Sequence, residues 1–447
     1  MVYPPRRRFL RTSGGILGGL LFGNQLLARS RQNPAQRSAN EKLNVGIIGT
    51  ANRAGANING VSGENIVAIC DVDENYLDAI GSKYGAAERY TDFRELLSQS
   101  KLDAVVVSTA DHTHAPATMM ALKAGLPVYC EKPLTHTVWE AREVARLARE
   151  AKVATQMGTQ IHAGNNYRRV VEIIQSGVLG QITEAHCWVG KAWGGGDRPT
   201  EKQMEPANFN HDLWLGPAPE RPYHDFYHPA QWRRFWDFGG GTLGDMGCHH
   251  LDLAFWALEL RHPTRVDADG PPVHAETAPT QMSARWKFPQ RNSASGRKLG
   301  AMNLYWHDGG KLPTQLGGTP FQGKGEALAA IAPKWGSGTL FVGEKGMMLC
   351  DYGRYILLPE DKWVGFEAPA QSIPNSVGHY NEWLNAVRNG TPTSCNFDYS
   401  GALTETVLLG NVAYRAETGF DWNAAELKAN SAAAQKLIKR EYRKGWA

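Results

Sequence analysis

The chain has 447 residues, 42% of them hydrophobic, which is enough to bury a large core and normally forms two domains rather than one. Its formal net charge is +4, but residues 1–40 contain seven arginines and no acidic residue, so residues 41–447 carry a net charge of −3. The mildly acidic charge of residues 41–447 argues against a surface that binds the phosphate backbone of a nucleic acid. We therefore expect no nucleic-acid partner and a small, uncharged ligand instead.

The first forty residues predict an export signal and linker. Residues 6–11, RRRFLR, precede a weakly apolar run at 13–28, which is typical of a twin-arginine signal. The alternative, a transmembrane helix, is disfavoured because the run is shorter than the roughly twenty residues a bilayer needs and contains five glycines. We therefore expect export by the twin-arginine translocase, for example to the periplasm, without a stable membrane anchor.

From residue 43 onward, strand and helix patterns alternate. Short apolar runs predict strands at 43–48, 66–70, 103–108 and 127–130, and amphipathic stretches predict helices at 74–84, 93–99, 115–124 and 138–151. Continuous Val and Ile runs separated by helices indicate a parallel sheet covered on both faces. Cys70 and Cys130 fall in these runs, so we expect buried free thiols there, and the six scattered cysteines indicate neither a zinc site nor a disulfide scaffold.

The turn after the first strand reads GTANRAG at residues 49–55 and departs from the G-x-G-x-x-G pattern at Ala51 and Ala54. An ordinary turn between strand and helix explains this loop equally well. Asp71 follows the second strand, where a carboxylate would accept hydrogen bonds from ribose hydroxyls and repel a 2′-phosphate. Together the two features predict a site for NAD rather than NADP.

Further motifs complete a family pattern. They are TADHTH at residues 109–114, EKP at 131–133 and GGGTLGDMGCH at 239–249. With the turn at Gly49 and with Asp71, they make the chain resemble the Gfo/Idh/MocA family, which includes glucose–fructose oxidoreductase and inositol dehydrogenase. The resemblance spans nearly all of residues 43–447.

The resemblance implies an α/β fold with two domains. Residues 41–160 would form an NAD-binding Rossmann domain with a doubly wound parallel sheet. Residues 161–447 would form an α/β domain with a large open, mainly antiparallel sheet, whose face commonly mediates oligomerisation, here as a homodimer or homotetramer. The cofactor-binding residues it implies are Gly49, Thr50, Ala51, Asn52, Arg53, Asp71, Thr109, His114, Glu131 and Lys132.

Three residues are implied as catalytic: Lys132, Asp245 and His249. The usual pKa of histidine, about 6.5, lets His249 act as a general base near neutrality. Asp245, one helical turn earlier, could orient the imidazole, while Lys132 would polarise the substrate oxygen. The alternative for the Asp245/His249 pair is a solvated ion pair on a helix surface.

Substrate-binding residues are predicted around the entrance to the second domain. Family analogy places Gln160 and His162 at the cleft, and the loop at 217–237 offers Tyr227, Trp232 and Arg233 for stacking on a sugar and bonding its hydroxyls. For any one of the fourteen tryptophans, core packing is the alternative. His224, His228 and His249 form no recognised metal-ligand spacing, so we predict no metal. Residues 311–337 predict a long loop, and helical character resumes from Glu426.

These observations predict an exported NAD-dependent dehydrogenase of a sugar, glycoside or polyol. Because free nicotinamide cofactors are not expected outside the cytoplasm, we expect NAD to be tightly held. Two alternatives stay open: a glycoside hydrolase that uses NAD for transient oxidation, and a nucleotide-binding sensor without turnover.

Overall fold

The computed structural model describes residues 41–313 and 335–446. The predicted export signal at 1–40 and most of the predicted loop at 311–337 lie outside the described residues. Within the described ranges, no helix is both long and apolar enough to cross a membrane.

The first domain is built on a six-stranded parallel sheet with the order β3-β2-β1-β4-β5-β6. Its strands are β1 (Asn44–Ile48), β2 (Asn65–Cys70), β3 (Glu88–Tyr90), β4 (Ala104–Val107), β5 (Val128–Cys130) and β6 (Thr155–Met157). The connecting helices are α1 (Ala54–Gly60), α2 (Glu74–Lys83), α3 (Phe93–Gln99), α4 (Asp111–Lys123) and α5 (Val138–Ala151). The strand order reverses between β1 and β4, and nucleotides bind at such a switch point in open α/β sheets.

Apolar strands and well-capped helices explain why this domain follows its sequence pattern closely. All four residues of β4 are buried, as expected for a central parallel strand. The helix α5 begins with a capping box, in which Thr137 accepts from the Glu140 backbone and Glu140 accepts in return from Thr137. The four predicted strands and four predicted helices are confirmed, although α4 begins at Asp111, before its predicted start.

The second domain carries a nine-stranded sheet with the order β15-β14-β13-β7-β12-β9-β8-β16-β17. Neighbouring strands pair antiparallel except β7 and β12, which are parallel, so the predicted open, mainly antiparallel sheet is confirmed. The strands are β7 (Ile182–Val189), β8 (Arg265–Asp269), β9 (Ser283–Phe288), β10 (Arg291–Asn292), β11 (Lys298–Leu299), β12 (Met302–His307), β13 (Ser337–Gly343), β14 (Gly346–Cys350), β15 (Tyr355–Leu358), β16 (Phe420–Asn423) and β17 (Lys428–Ala429). The short strands β10 and β11 form a separate hairpin.

The later part of the described chain contains six α-helices, two of which pack on one face of this sheet. They are α6 (Asn165–Gln175), α7 (His211–Leu215), α8 (Gly241–Ala257), α9 (His379–Asn389), α10 (Phe397–Arg415) and α11 (Ala432–Leu437). Of these, α8 packs on β7, β12 and β13, and α10 packs on α8, β8 and β9. Along β12 the buried Met302, Leu304 and Trp306 alternate with half-buried residues, which gives the sheet an apolar helix-facing side and a more polar outer side.

One helix of the later sequence belongs to the core of the first domain. Trp383, Leu384 and Val387 of α9 join the apolar cluster formed by β1, β2, β4 and α1. Trp383 is fully buried, with its ring centroid 5.8 Å from that of Tyr129 on β5. The core of the nucleotide-binding domain is therefore completed by residues more than two hundred positions later.

The prediction of helical character in the tail from Glu426 is wrong for residues 426–431, which contain β17, and right for the short helix α11, which begins at Ala432 and ends at Leu437. Beyond it, Arg440 and Tyr442 both donate hydrogen bonds to Oε1 of Glu140 at the start of α5. The tail thereby fastens the second domain to a helix of the first.

Candidate active site

The turn that follows β1 is held tightly against the neighbouring strand. Gly49 has φ +87°, and a Cβ atom there would lie 2.7 Å from the backbone C and O of Ser108, so this position requires glycine. Its amide donates to Cys70 O at 2.8 Å. Both Gly49 and Ala51 line a cavity of about 580 Å³ that opens at the switch point of the parallel sheet.

Asp71 lies at the end of β2 and also lines this cavity. Its Oδ2 accepts from the amide and hydroxyl of Thr50 at 2.8 and 2.9 Å, and its Oδ1 accepts from the Asp73 amide at 3.1 Å. Burial raises the pKa of the carboxyl, while these hydrogen bonds oppose that shift. The structure thus gives Thr50, which is buried, the task of orienting Asp71.

The cavity runs between the two domains. At the end formed by the first domain it is lined by predicted cofactor residues, namely Gly49, Ala51, Asn52, Arg53, Asp71 and Thr109. At the other end it is lined by Lys191, Trp193, Trp232, Arg233 and Asp245. A glycine turn, a carboxylate at the end of the second strand and an elongated cleft fit a dinucleotide.

Glu131 is buried, with 4% of its surface exposed, and it accepts hydrogen bonds from several segments of the first domain. Its Oε1 accepts from Arg53 at 3.0 Å, from Asn57 at 3.1 Å and from Gln160 at 3.0 Å, while Oε2 accepts from the Lys132 amide at 3.1 Å. These bonds tie the turn after β1 to the segment that carries Lys132.

Lys132 and Asp245 form the central ion pair of the site. Lys132 Nζ donates to Oδ1 of Asp245 at 2.8 Å and to the Asp245 carbonyl oxygen at 2.6 Å. The same carboxylate also accepts from Lys191 at 2.7 Å, from the Trp193 indole at 2.8 Å and from Arg233 at 3.2 Å. One carboxylate therefore meets three cationic side chains, and the cluster keeps a surplus of positive charge.

Electrostatics fix the protonation states of this cluster. Burial alone would raise the pKa of Asp245, but Lys132, Arg233 and Lys191 hold it well below its usual value. Burial lowers the pKa of Lys132, yet the carboxyl groups around it, Asp245 first, outweigh burial and raise it overall. Lys132 is thus an ammonium group at neutral pH, fixed to Asp245, which lines the cavity, although Lys132 itself is not among the lining residues.

His249 lies one helical turn after Asp245 on α8. Burial, followed by the charge of Lys132, lowers the pKa of its imidazole well below the usual value, so the ring is neutral near pH 7. Its Nδ1 is buried and has no hydrogen-bond partner among residues 41–313 and 335–446. The expectation that Asp245 orients this imidazole does not hold in the structure, because the Asp245 carboxylate is bonded to cations and to Trp193 instead.

Asp111 adds a second buried carboxyl group near the cluster. It is 5% exposed at the first position of α4. Burial raises its pKa to about 7, against the opposing charges of Arg233 and Lys132. The TADHTH motif therefore contributes a group that titrates near neutrality.

His114 in the same motif has a positioning role. Its Nδ1 lies 2.7 Å from Pro133 O and its Nε2 3.0 Å from Thr109 O, so the ring bridges two loops that border the cleft. The side chain is 1% exposed and is absent from the cavity lining. Its contribution to the predicted cofactor site is to hold Thr109 and the Lys132–Pro133 segment together.

The predicted substrate residues divide into two groups. Trp232 and Arg233 line the cleft and stack on each other, with the guanidinium carbon 4.2 Å from the ring centroid. Gln160 bonds Glu131, as described above. Tyr227 is 2% exposed, accepts from Arg198 and packs in an aromatic cluster, so it supports the loop from behind.

His162 is buried away from the cleft, at 1% exposure. Its Nδ1 lies 2.9 Å from Oδ2 of Asp252, and its ring stacks on Trp256 at 4.1 Å. The pairing partner comes from α8, ninety residues later, which sequence spacing could not reveal. The described part of the chain contains no group of three His, Cys, Asp or Glu residues arranged to hold a metal ion.

Sequence reasoning missed Lys191. It follows β7 by two residues and reaches Asp245 from the C-terminal end of this interior strand of the second sheet. The available signal was the alternating strand pattern at 182–189 followed by Gly190 and a lysine, but that pattern does not specify which side chain the lysine meets.

Comparison with known proteins identifies the family. Residues 43–159 match the model of an oxidoreductase family with an NAD-binding Rossmann fold, and residues 163–291 match the C-terminal α/β domain of the same family. The chain belongs to the Gfo/Idh/MocA family. NAD is accordingly the cofactor of the first domain of this Gfo/Idh/MocA protein.

Named relatives match about a third to two fifths of this chain. An inositol 2-dehydrogenase from Rubrobacter xylanophilus is 31% identical over 157 residues, or 34% of this chain and 45% of that protein. A glycosyl hydrolase family 109 protein from Shewanella putrefaciens is 25% identical over 201 residues, or 40% of this chain and 44% of that protein. The chain thus spans less than half the length of these curated relatives.

Solved structures share the whole fold of this family member. GenD2 from gentamicin A biosynthesis, solved with NAD, superposes with a TM-score of 0.57 at 19% identity, covering 87% of this chain and 98% of that one. The WlbA dehydrogenase from Bordetella pertussis, solved with NADH and UDP-GlcNAcA, gives 0.57 at 18% identity, covering 86% and 99%. At this level of identity the likeness establishes the two-domain fold.

Proposed function

We propose that this protein is an NAD(H)-dependent oxidoreductase that acts on a CH–OH group of a sugar, glycoside or polyol. The observation that carries the proposal is the arrangement of Lys132 and His249 around Asp245, which lines one end of the NAD cleft. The Lys132 ammonium group is fixed by two bonds to Asp245, and the neutral imidazole of His249, with a free nitrogen, lies one helical turn after Asp245. These are the groups that oxidation of an alcohol requires.

Each residue has a distinct task in the proposed reaction. NAD, when bound, supplies the acceptor for the hydride of the substrate carbon. Lys132 donates a hydrogen bond to the substrate oxygen and stabilises the negative charge that develops there. His249 accepts the hydroxyl proton at its ring nitrogen and returns it in the reverse direction. Asp245 keeps Lys132 charged and holds its ammonium group beside the cleft.

The remaining cleft residues suit a polyhydroxylated ring. Trp193 and Trp232 offer aromatic faces to C–H groups, while Arg233 and Lys191 offer donors to oxygen atoms. The inositol 2-dehydrogenases among the relatives, and the UDP-GlcNAcA bound by WlbA, point to the same class of substrate.

Nicotinamide fluorescence tests the proposal. We would add free sugars, glycosides and polyols to the purified protein with NAD and compare Lys132→Ala with Lys123→Ala, a change at an exposed lysine of α4. We expect a substrate-dependent rise in NADH fluorescence that Lys132→Ala loses by about 10²-fold or more and Lys123→Ala retains. Equal activity in the two variants would refute the assigned role of Lys132.

Glycoside cleavage is a second candidate, favoured by the similarity to a glycosyl hydrolase family 109 protein. In that reaction a sugar carbon would be oxidised transiently, the leaving group would be eliminated, water would add to the resulting double bond, and return of the hydride to the sugar would give net hydrolysis without net redox change. Release of nitrophenol from nitrophenyl glycosides at substoichiometric NAD, without net NADH, would distinguish it from dehydrogenation.

We further propose that the protein is exported with its NAD in place. The support is the RRRFLR sequence at 6–11 and the folded, cofactor-carrying cargo that the twin-arginine route accepts. The double substitution Arg6→Lys and Arg7→Lys should retain the protein in the cytoplasm, while Arg29→Lys should not. NAD that survives gel filtration and dialysis would support tight binding, and apo-protein after gentle purification would contradict it.

We also propose a homodimer or homotetramer formed through the outer face of the second sheet. That face presents the stacked rings of His186 and Tyr305, 4.4 Å apart, beside half-buried His307. Light scattering on the purified protein tests the assembly, and Tyr305→Asp should reduce the measured mass, whereas a monomeric wild type would overturn it.

A further inference from the structure

A second cavity, of about 430 Å³, is lined in part by the loop that precedes α8. Its wall is formed by the start of α5, by residues 236–240, by the C-terminal part of α10 and by the segment around α11. It shares no lining residue with the NAD cleft. A ligand could therefore occupy it while NAD is bound.

The wall carries more positive than negative side chains. Four cationic residues line it, against two acidic ones: Arg415, Lys436, Lys439 and Arg440, with Asp237 and Glu441. Asp237 is already bonded to Arg198 and Arg221 outside the cavity. The cavity therefore keeps an excess of positive charge, because the two acidic residues do not balance the four cationic ones.

Arg415 is one of three of these cations, with Lys436 and Lys439, that donate no hydrogen bond within the described chain. Its guanidinium carbon lies 4.8 Å from the ring centroid of Trp236, but it donates no hydrogen bond to any residue that the structure describes. Burial lowers its pKa. This half-buried guanidinium thus keeps its five N–H donors available to a ligand in the cavity.

Two neighbouring residues also have unused polar atoms. Asn411 is 6% exposed, and its Nδ2 donates to Gly240 O at 2.8 Å while its Oδ1 has no partner in the described chain. Arg440 uses Nε and Nη2 on Glu140 and His112 O, and leaves Nη1 buried without an acceptor. The wall thus combines unused guanidinium donors with one unused carbonyl acceptor.

We propose that this cavity binds a small oxyanion, a carboxylate or a phosphate, that carries a neighbouring hydroxyl group. Guanidinium groups bond such anions through two parallel N–H···O bonds, a task that fits Arg415, while Arg440 can add one bond from Nη1. The hydroxyl of the ligand donates to Oδ1 of Asn411. The bond from Asn411 to Gly240 connects this site to the loop from which the Asp245 helix begins.

Calorimetric titration of the NAD-saturated protein tests the site, with D-glycerate and inorganic phosphate as separate probes. We expect saturable binding of at least one probe, weakened by about tenfold or more in Arg415→Gln, since a charge-assisted hydrogen bond is lost. Lys428→Gln, at an exposed lysine on β17 outside the cavity, should bind like the wild type. Glycerate binding alone would identify a hydroxycarboxylate ligand, and phosphate binding alone a phosphorylated one.

Crystals soaked in selenate give a second readout that does not depend on the folding of a variant. Anomalous density between Arg415 and Arg440 would support the site. The proposal is overturned if neither probe binds below about 10 mM, if Arg415→Gln binds as tightly as the wild type, or if selenate occupies other positions while the cavity stays empty.

Discussion

At the residue scale, the site depends on the sharing of one carboxylate among several cations. Asp245 accepts from Lys132, Lys191, Arg233 and the Trp193 indole, so its charge is divided over groups from three parts of the chain. Truncating a shared buried anion leaves its partners as uncompensated charges. The protonation of Lys132 is the property that substitution of Asp245 affects most.

Asp245→Asn should shift the alkaline limb of the pH profile. In the wild type the limb reflects loss of the Lys132 proton at a raised pKa, so activity falls only as the pH rises through that value. Without the Asp245 charge, burial acts with less opposition and the pKa of Lys132 falls. We expect the limb of kcat/KM to move to lower pH by about one unit. Asp78→Asn, an exposed carboxylate on α2, is the control, and an unmoved limb in Asp245→Asn would contradict the pairing.

His249 should set the acidic limb in the direction of alcohol oxidation. Because the pKa of the buried imidazole is lowered, the ring stays neutral and able to accept a proton well below pH 7. We expect kcat/KM to remain flat down to about pH 6 and to fall only below that. In His249→Gln we expect the rate to be lower by about 10²-fold or more. A wild-type midpoint above pH 7, or an unchanged rate in the variant, would exclude His249 as the base.

At the element scale, continuous apolar strands were predictable and short polar ones were not. The run at 103–108 predicted β4, because parallel strands buried on both faces read as unbroken Val and Ile. The strands β3 and β6 have three residues each and polar sequences, Glu88–Tyr90 and Thr155–Met157, and their pairing is decided by neighbours rather than by pattern.

The site was predictable to the extent that motifs carry it. Lys132 and Asp245 stand in recognisable segments, and the structure brings them together. Lys191 meets Asp245 across 54 positions and His162 meets Asp252 across 90, so tertiary geometry alone decides these contacts. The same limit explains why Asp245 was expected to serve the imidazole: helical spacing shows that the two can be neighbours, but it does not reveal the competing cations.

The strand-to-helix turn gives a prediction for Gly49. Gly49→Ala would place a methyl group against the Ser108 backbone at a positive φ, so the turn must move. We expect a loss of about 2 kcal/mol in unfolding free energy and weaker NAD binding, measured by urea titration and by NADH fluorescence. Gly63→Ala, where nothing lies within 4 Å of the added atom, is the matched control. Similar behaviour of the two variants would show that the turn tolerates a side chain.

At the scale of the whole molecule, buried histidines make stability depend on pH. Burial lowers the pKa of five of them to about 3 or 4: His112, His228, His250, His307 and His379. In the unfolded chain a histidine titrates near 6.5. Below that pH these histidines bind protons in the unfolded state but not in the folded state. Their contribution to the unfolding free energy is therefore complete above about pH 6.5 and is lost as the pH falls.

Two buried carboxyl groups act in the opposite direction. The pKa of Asp111 is raised to about 7 and that of Asp308 to about 6, so the folded state binds these protons more tightly and gains stability on acidification. Because five histidines lose stability on acidification and only two carboxyl groups gain it, the histidines determine the sign of the change in unfolding free energy. We expect a lower unfolding free energy at pH 5.5 than at pH 7 in urea titrations, and a difference smaller by about 1 kcal/mol in His250→Gln. Equal stability at both pH values would contradict the balance.

The placement of α9 limits how this protein can be recombined with its relatives. Because Trp383 fills the core beneath Tyr129, residues 41–160 excised alone would leave an apolar hollow where that helix packs. A chimera that exchanges the nucleotide-binding half between two proteins of this architecture must therefore carry its own version of His379–Asn389 with it. The unit of exchange is discontinuous in sequence, although the domain is continuous in space.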